Sequence, residues 1–411
     1  RIEDMFFNSL VHRRVVTNLI ERLFSFVDSP GERPWVAMGA FGIFILLGAG
    51  WVNQAQVLPG VSTTETDLPG SVLDVIWSED GEHALALVDD NDDMKLMLRG
   101  DSGSWSEINC NCNATAIGGS DNLWLVGGED GWFGVMIAGD NSIAPRSLNW
   151  QDTAPDIVSL DGQMASGWLI AEMATSRTVH SWTGLNVSEG ASYPINDISL
   201  DEIESVAGGA LIIGHDQTSN PALGLSSEVL IEAERNTSGT PILTMLHRGA
   251  GAPLHTIIPV DDHFEGCTQN CLIAIVGGGD SIYGITSDST VGRNMHRIAG
   301  SIGMQTIAMD SQNMLWFQST NGIYNLEIGD QNPTFVKMPD GTPTDLHVAS
   351  IAGENVVMFS EDGKTRVTID PMAQQSLLRS LSLLGDLILL MTFVAFFGFG
   401  GHALLRKHGV L

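Results

Sequence analysis

The sequence predicts an all-β fold, a seven-bladed β-propeller outer domain flanked by two transmembrane α-helices and preceded by an N-terminal amphipathic helix. Three features lead there: a strand-and-turn unit that recurs seven times at a spacing near 42 residues, two uncharged apolar stretches at opposite ends of the chain, and acidity confined to the stretch between them.

Residues 1–33 place Met5, Phe6, Leu10, Val11, Val15, Leu19, Ile20, Leu23, Phe24 and Val27 at helical spacing among Arg13, Arg14, Glu21 and Arg22. Such a helix lies on the inner membrane surface, its arginines against anionic headgroups and its apolar face sunk in lipid. Docking to a cytoplasmic partner, or to a part of the chain upstream of Arg1, is the competing use.

The first span is assigned to 34–52. The second is assigned to 381–405, with its uncharged core from Leu387 to Leu405. Each apolar core is 19 residues, which as a helix covers ~29 Å, close to the ~30 Å hydrocarbon thickness. Arg14, Arg22 and Arg33 precede the first core and Arg406 and Lys407 follow the second, whereas only Arg379 lies near a span on the other side. Positive flanks stay in the cytoplasm, so both termini, including the 406–411 tail, are expected inside and the middle outside. A cleaved signal peptide is the rival for the first span, but its apolar core is long and more than 30 residues precede it. Gly39, Gly42, Gly48, Ala395, Gly398 and Gly401 offer small surfaces through which two spans can pack. Asp386 stands at the outer border of the second.

The whole chain carries 49 Asp and Glu against 19 Lys and Arg; 43 of those acids but only 12 of the bases fall in 53–380. A field of that sign repels nucleic acid and anionic lipid from the outer domain. All four cysteines fall in this stretch, as Cys110-Asn-Cys112 and Cys267-Thr-Gln-Asn-Cys271. An oxidising exterior favours disulfides, and the spacing does not match paired CxxC zinc ligands. The two pairs map to the second and fifth blades, too far apart for one crosslink, so two local rings are expected. Asn113, Asn186 and Asn236 head sequons and are candidate glycosylation sites.

The repeated unit has its central strands at His83–Val88, Leu123–Val126, Gly167–Ile170, Ala210–Ile213, Leu272–Val276, Leu315–Phe317 and Val356–Phe359. Their starts are 40, 44, 43, 62, 43 and 41 residues apart, and Gly, Asp and Asn turns follow them. Short strands with no clean alternation suit blades sandwiched between neighbours. The long fourth interval reads as an inserted loop that includes Arg235–Thr240 and Gly249–Pro253, with a turn over His215–Ala222. The propeller is bounded at 71–370. After Ile369 the chain goes directly to Pro371 and the second span, which leaves no room for an outermost strand, and a ring must close. Segment 53–70, within Gln54–Asp67, is therefore expected to supply the missing strand to the last blade.

The run from Asp310 through Leu315-Trp316 to Thr320, Gly322 and Tyr324 resembles the two-component-regulator type of propeller repeat, departing from it at Asn313 and Ile323. Trp77-Ser-Glu-Asp-Gly81 resembles the turn of WD40-like and TolB-like propellers. These resemblances imply a fold. No kinase segment accompanies them, so no kinase activity is carried over.

Enzymatic signatures are lacking in the sequence: no HExxH, no GxSxG and no phosphate-binding loop. No catalytic residue, cofactor or resident metal is expected. Ser360–Thr365 resembles a sialidase Asp-box one residue short and reads as a hairpin turn. Asp89–Asp93 matches the first half of a calcium loop, but Met94 and Gly100 stand where Gly and Glu belong; calcium or a solvated hairpin tip are both open. The function expected is a membrane-anchored cell-surface module that binds a protein or glycan, with membrane lipid as its other contact. The alternatives are a sensor or assembly subunit and, less favoured, a hydrolase or lyase.

Overall fold

A computed structural model describes residues 57–375, apart from 111, 121, 152, 175, 194–197, 221–224, 250, 261–270, 289–291 and 302, and isolated helical positions at 48, 385, 387, 390–392 and 394. The chain divides into two units, Leu58–Gln374 and the two ends together. The expected amphipathic lead and both spans lie outside the described residues except at those isolated positions. Among the described residues no helix is long and apolar enough to cross a membrane.

Leu58–Gln374 forms seven four-stranded antiparallel sheets. Blade 1 is Ser71–Trp77, Ala84–Asp89, Met94–Arg99 and Trp105–Glu107; blade 2 is Ala114–Ser120, Leu123–Gly128, Phe133–Ile137 and Ala144–Arg146. Blade 3 is Asp156–Gln163, Ser166–Met173, Ser176–Thr183 and Asn186–Val187; blade 4 is Ile198–Val206, Gly209–Asn220, Leu225–Arg235 and Pro241–Arg248. Blade 5 is Leu254–Pro259, Cys271–Gly278, Ser281–Asp288 and Gly292–Gly300; blade 6 is Met304–Met309, Met314–Ser319, Gly322–Glu327 and Thr334–Phe335. Blade 7 takes Leu346–Ala352, Asn355–Ser360 and Thr365–Ile369 from the end of the domain and Val61–Glu65 from its beginning.

The second strand of each blade is buried on both faces because its alternate side chains enter two different cores. In blade 1, Leu85 and Leu87 pack with Trp124 and Val126 of blade 2. Ala84, Ala86 and Val88 pack on the other side with Val357 and Phe359 of blade 7. The same division holds at each junction around the ring. A Leu or Ile buried in this way contributes about 1.5–3 kcal/mol. The uninterrupted apolar runs in the sequence thus reflect two-sided packing.

Closure is by strand pairing. Val61 to Glu65 runs antiparallel to Ile369 to Thr365, and the ladder is prolonged by Thr66 N–H to Lys364 O (2.8 Å) and Asp370 N–H to Gly60 O (3.0 Å). The closing strand falls within Gln54–Asp67, and both ends of the ring leave at blade 7 on one face.

The fourth interval corrects the sequence reading. Its extra length is not one loop: strands Gly209–Asn220 and Leu225–Arg235 are elongated, so the stretch from His215 to Asn220 is strand and not turn. Arg235–Thr240 is a tight turn closed by Asn236 N–H to Thr240 O (3.0 Å), and Gly249–Pro253 is the ordinary crossover to blade 5. Further residues separate Pro259 from Cys271, most of them outside the described set. A count of residues between strand starts cannot distinguish a longer hairpin from a loop.

The repeat motif has a physical basis in blade 6. Buried Asp310 accepts backbone N–H groups from Gln312 (2.8 Å) and Met314 (3.0 Å), and its other oxygen accepts Trp316 Nε1–H (2.8 Å). Asn313, where the resembled family has Gly, takes a left-handed φ of 62°, a region Asn tolerates. Asp310→Ala should orphan the indole N–H and two turn amides, lowering stability by about 3 kcal/mol, with Asp310→Asn losing less; urea unfolding of the three proteins measures this.

Candidate functional site

The first strand of every blade lines the axis of the ring, and each carries a β-bulge against its neighbour. The register slips between Val72 and Asp74, Ala114 and Ala116, Ile157 and Ser159, Leu200 and Glu202, Leu254 and Thr256, Met304 and Thr306, and Leu346 and Val348. A bulge bends its strand and re-aims the side chains that follow. At three junctions the residue just after it reaches across to the next blade. Ser159 Oγ accepts Ile203 N–H (3.1 Å), Thr306 Oγ1 accepts Ala349 N–H (2.8 Å), and the Glu202 carboxylate accepts Ile257 N–H.

Two residues further on, Ser350 Oγ donates to Val75 O (3.0 Å), joining blades 7 and 1. At the same register Asp161 serves two neighbours at once, accepting Gly119 N–H of blade 2 (3.1 Å) and Ser205 N–H of blade 4 (2.8 Å). Glu204 of blade 4 shares a hydrogen bond with that same carboxyl.

Four carboxyl groups thus converge on one sector of the axis: Asp74, Asp161, Glu202 and Glu204. Among the described residues no ion pair involves any of them. Burial pushes Glu202 up to about 8, helped by the Asp74 charge and opposed by the Ile257 N–H. Burial and the charges of Asp161, Glu202 and Asp74 hold Glu204 well above the carboxylate range. Desolvation at the axis raises Asp74 to about 6, although the residue keeps exposed surface and Val75 N–H (2.7 Å) favours its charged form. Crowded carboxyls without a counter-charge retain protons. The grouping lacks the geometry of a metal centre among the described residues.

A cavity of about 690 Å³ opens between blades 3 and 4 on the face from which the chain leaves the ring. Gln163, Trp168, Ser205, Glu234 and Arg235 line it. Arg235 is held over the Trp168 ring at 4.7 Å and donates to Gly167 O (2.9 Å) and Trp182 O (3.4 Å). Nearby, burial raises Glu232 despite its 2.7 Å pair with Arg293.

On the opposite face the elongated hairpin of blade 4 rises from a base of ion pairs. Arg177 meets Glu172 (2.7 Å) and Asp201 (3.2 Å), Asp201 also meets His215 (2.6 Å), and fully buried Asp216 meets Arg248. Buried Glu228 accepts from His247 Nε2 (2.8 Å) and from Tyr283 OH of blade 5 (3.2 Å). Gly249 packs against this carboxyl so closely that a Cβ there would lie 2.1 Å from Glu228 Oε1.

The sequence-derived candidates sit elsewhere. Cys110 and Cys112 are joined, with Cα atoms 5.1 Å apart, in the crossover into blade 2. Cys271 is disulfide-bonded and opens the second strand of blade 5; Cys267 lies outside the described residues. Asn113 is exposed and donates to Glu129 (2.7 Å), exposed Asn186 accepts from Asn149 (3.0 Å), and Asn236 caps its own turn by accepting Ser238 N–H (2.8 Å) and Thr240 N–H (2.9 Å). In the Asp89–Asp93 turn the Lys95 ammonium is already bound to Asp90, which lowers the pKa of that carboxyl and raises that of the lysine; Asn91 and Asp92 have left-handed backbones. The turn is a hairpin tip with its own cation. None of these positions adjoins the axial carboxyls. Those escaped sequence reading, although an acidic residue inside an apolar first strand, as in Leu200-Asp-Glu-Ile-Glu204, is a visible signal.

No protein-family profile matches the chain, and no curated protein is significantly similar to it. Solved structures are similar in fold. YCF48 from Cyanidioschyzon merolae superimposes with a TM-score of 0.52 at 12% identity, over 76% of this chain and 99% of that one. The β-propeller domain of Cps50 (Swd1) from Myceliophteria thermophila gives 0.52 at 10% identity, over 75% and 99%.

The Glu228 cluster yields an expectation for the base of the hairpin. Glu228→Ala leaves His247 and Tyr283 without their shared acceptor and should lower stability by about 3 kcal/mol, whereas Glu228→Gln keeps one acceptor and should lose about half as much; paired urea titrations distinguish them.

Proposed function

We propose that the chain is a membrane-anchored, cell-surface propeller that binds a protein partner and performs no chemistry of its own. The observation that carries the reading is the way the ring closes. Gly60 and Asp370 are hydrogen-bonded to each other, and beyond them the chain runs in both directions toward the uncharged apolar stretches 34–52 and 387–405. A domain whose two ends leave side by side suits a double tether. Helical positions Leu387, Leu390, Met391 and Val394 expose large apolar side chains at i, i+3, i+4 and i+7, a stripe suited to lipid.

The face away from the tethers then meets the surroundings. It carries the blade 4 hairpin and the acidic turns at Asp89–Asp93, Glu129–Asp130 and Glu361–Asp362. Loops on a rigid scaffold suit recognition, and their charge favours a basic protein surface over a nucleic acid or an anionic glycan. Sensing through the spans is a compatible elaboration of the same architecture.

In intact cells that express the full chain, the propeller should be open to added protease, and the chain should stay in the membrane pellet after alkaline carbonate extraction. Extraction into the supernatant, or a protease-protected propeller, would overturn the reading. Cross-linking should capture a basic protein, and replacing 217–224 by a two-residue turn should reduce that capture about tenfold.

A further inference from the structure

We propose that blades 3, 4 and 5 are fastened at the axis by a proton-dependent clasp, Glu204 bonded to Asp161 with Glu202 beside them, which loosens blade 4 when it loses its protons. Whether blade 4 presents the contact surface rests on the function proposed above; the clasp itself does not.

The argument is a comparison between equivalent positions in one ring. At the post-bulge site the blade 6–7 junction uses the neutral hydroxyl of Thr306 on Ala349 N–H, and the blade 3–4 junction that of Ser159 on Ile203 N–H. At the blade 4–5 junction the same task falls to Glu202 on Ile257 N–H. Two residues on, the hydroxyl of Ser350 joins blades 7 and 1, whereas Asp161 joins blades 2, 3 and 4 while facing Glu204. Hydroxyl fasteners are indifferent to pH. The carboxyl fasteners are not: with a proton between them Asp161 and Glu204 attract, and without it two carboxylates face each other across a blade junction, with Glu202 and Asp74 adding to the repulsion.

Among the described residues no cation is paired with these carboxyls, and Arg235, across the cavity from Ser205, is turned onto Trp168 and the Gly167 and Trp182 carbonyls. Blade 2 presents no titratable side chain on Ala114–Ser120. In blade 3, Asp156 accepts Asp130 N–H (2.8 Å) and Glu172 is bound to Arg177. In blade 4, Asp201 and His215 pair with each other and Asp216 with Arg248. Blade 5 contributes His255, which burial keeps toward its neutral form.

The direction follows from linkage. A carboxyl with a raised pKa holds more protons in the folded than in the unfolded chain. Its stabilisation is complete below its ordinary value of 4.5 and is lost as pH rises through its folded value, about 8 for Glu202 and well above the ordinary range for Glu204. The ring should therefore tighten on acidification, opposite to ordinary acid denaturation.

The test uses the full chain in detergent, with Tm read at about pH 7 and about pH 9 and amide exchange, corrected for intrinsic rates, read over 198–206, 254–259 and 346–352. The wild type should melt several degrees lower at the higher pH and lose protection in the first two segments but not the third. Glu204→Gln, which keeps a donor to Asp161, and Glu202→Thr, which installs the fastener of blade 6, should each remove at least half of the Tm difference. The exposed control Glu79→Gln should retain it. Should either clasp variant fail to fold, Asp74→Asn, which relieves the repulsion from blade 1, must still narrow the difference. A wild type with no pH difference, or clasp variants that keep it in full, overturns the proposal.

Discussion

Ring closure is the constraint on which the rest of the molecule depends. Each of the seven apolar cores lies between two blades, so blades 1 and 7 cannot bury both faces of their second strands until the ring is complete. The pairing of Val61–Glu65 with Thr365–Ile369 completes blade 7 and so brings Val357 and Phe359 against the blade 1 side chains Ala84, Ala86 and Val88. One short, exposed strand of five residues decides whether a linear array becomes a ring. It also fixes where the chain enters and leaves, which makes a double tether geometrically simple.

Within the ring, the bulge repeated in each first strand turns a periodic packing problem into a set of individual junctions. Apolar contact between blades is generic, whereas at three junctions a side chain just past the bulge bonds a particular backbone N–H on its neighbour and so fixes register. Most of these positions hold hydroxyl or apolar groups. Blade 1 places Asp74 there, and blades 3 and 4 place Glu202 there and Asp161 and Glu204 two residues on, at the junctions that flank the longest hairpin among the described residues. Carboxyls accept stronger hydrogen bonds than hydroxyls but must remain partly protonated when crowded. The sector that carries the most elaborate surface is therefore also the one whose internal fastening depends on protons.

The sequence by itself determined the class of fold. Seven apolar runs at near-constant spacing, the Asp310-to-Trp316 motif and the direct passage from Ile369 to Pro371 and the second apolar stretch are local or periodic signals, and periodicity is what the chemistry of a repeated blade must leave in the sequence. It also determined the strong acidity of the domain and the two apolar ends. Only the tertiary structure decided which acids matter. Asp74, Asp161, Glu202 and Glu204 are separated by up to 130 positions in the chain and read as ordinary polar interruptions of apolar strands. Each stands at the same register on a different blade or two residues from it, and that register is set by a bulge that no composition or period reveals. Likewise the extra length of the fourth unit became strand because the paired backbone of Gly209–Asn220 and Leu225–Arg235 continues past its neighbours. Hydrogen-bond partners distant in sequence made both decisions, and sequence spacing does not encode them.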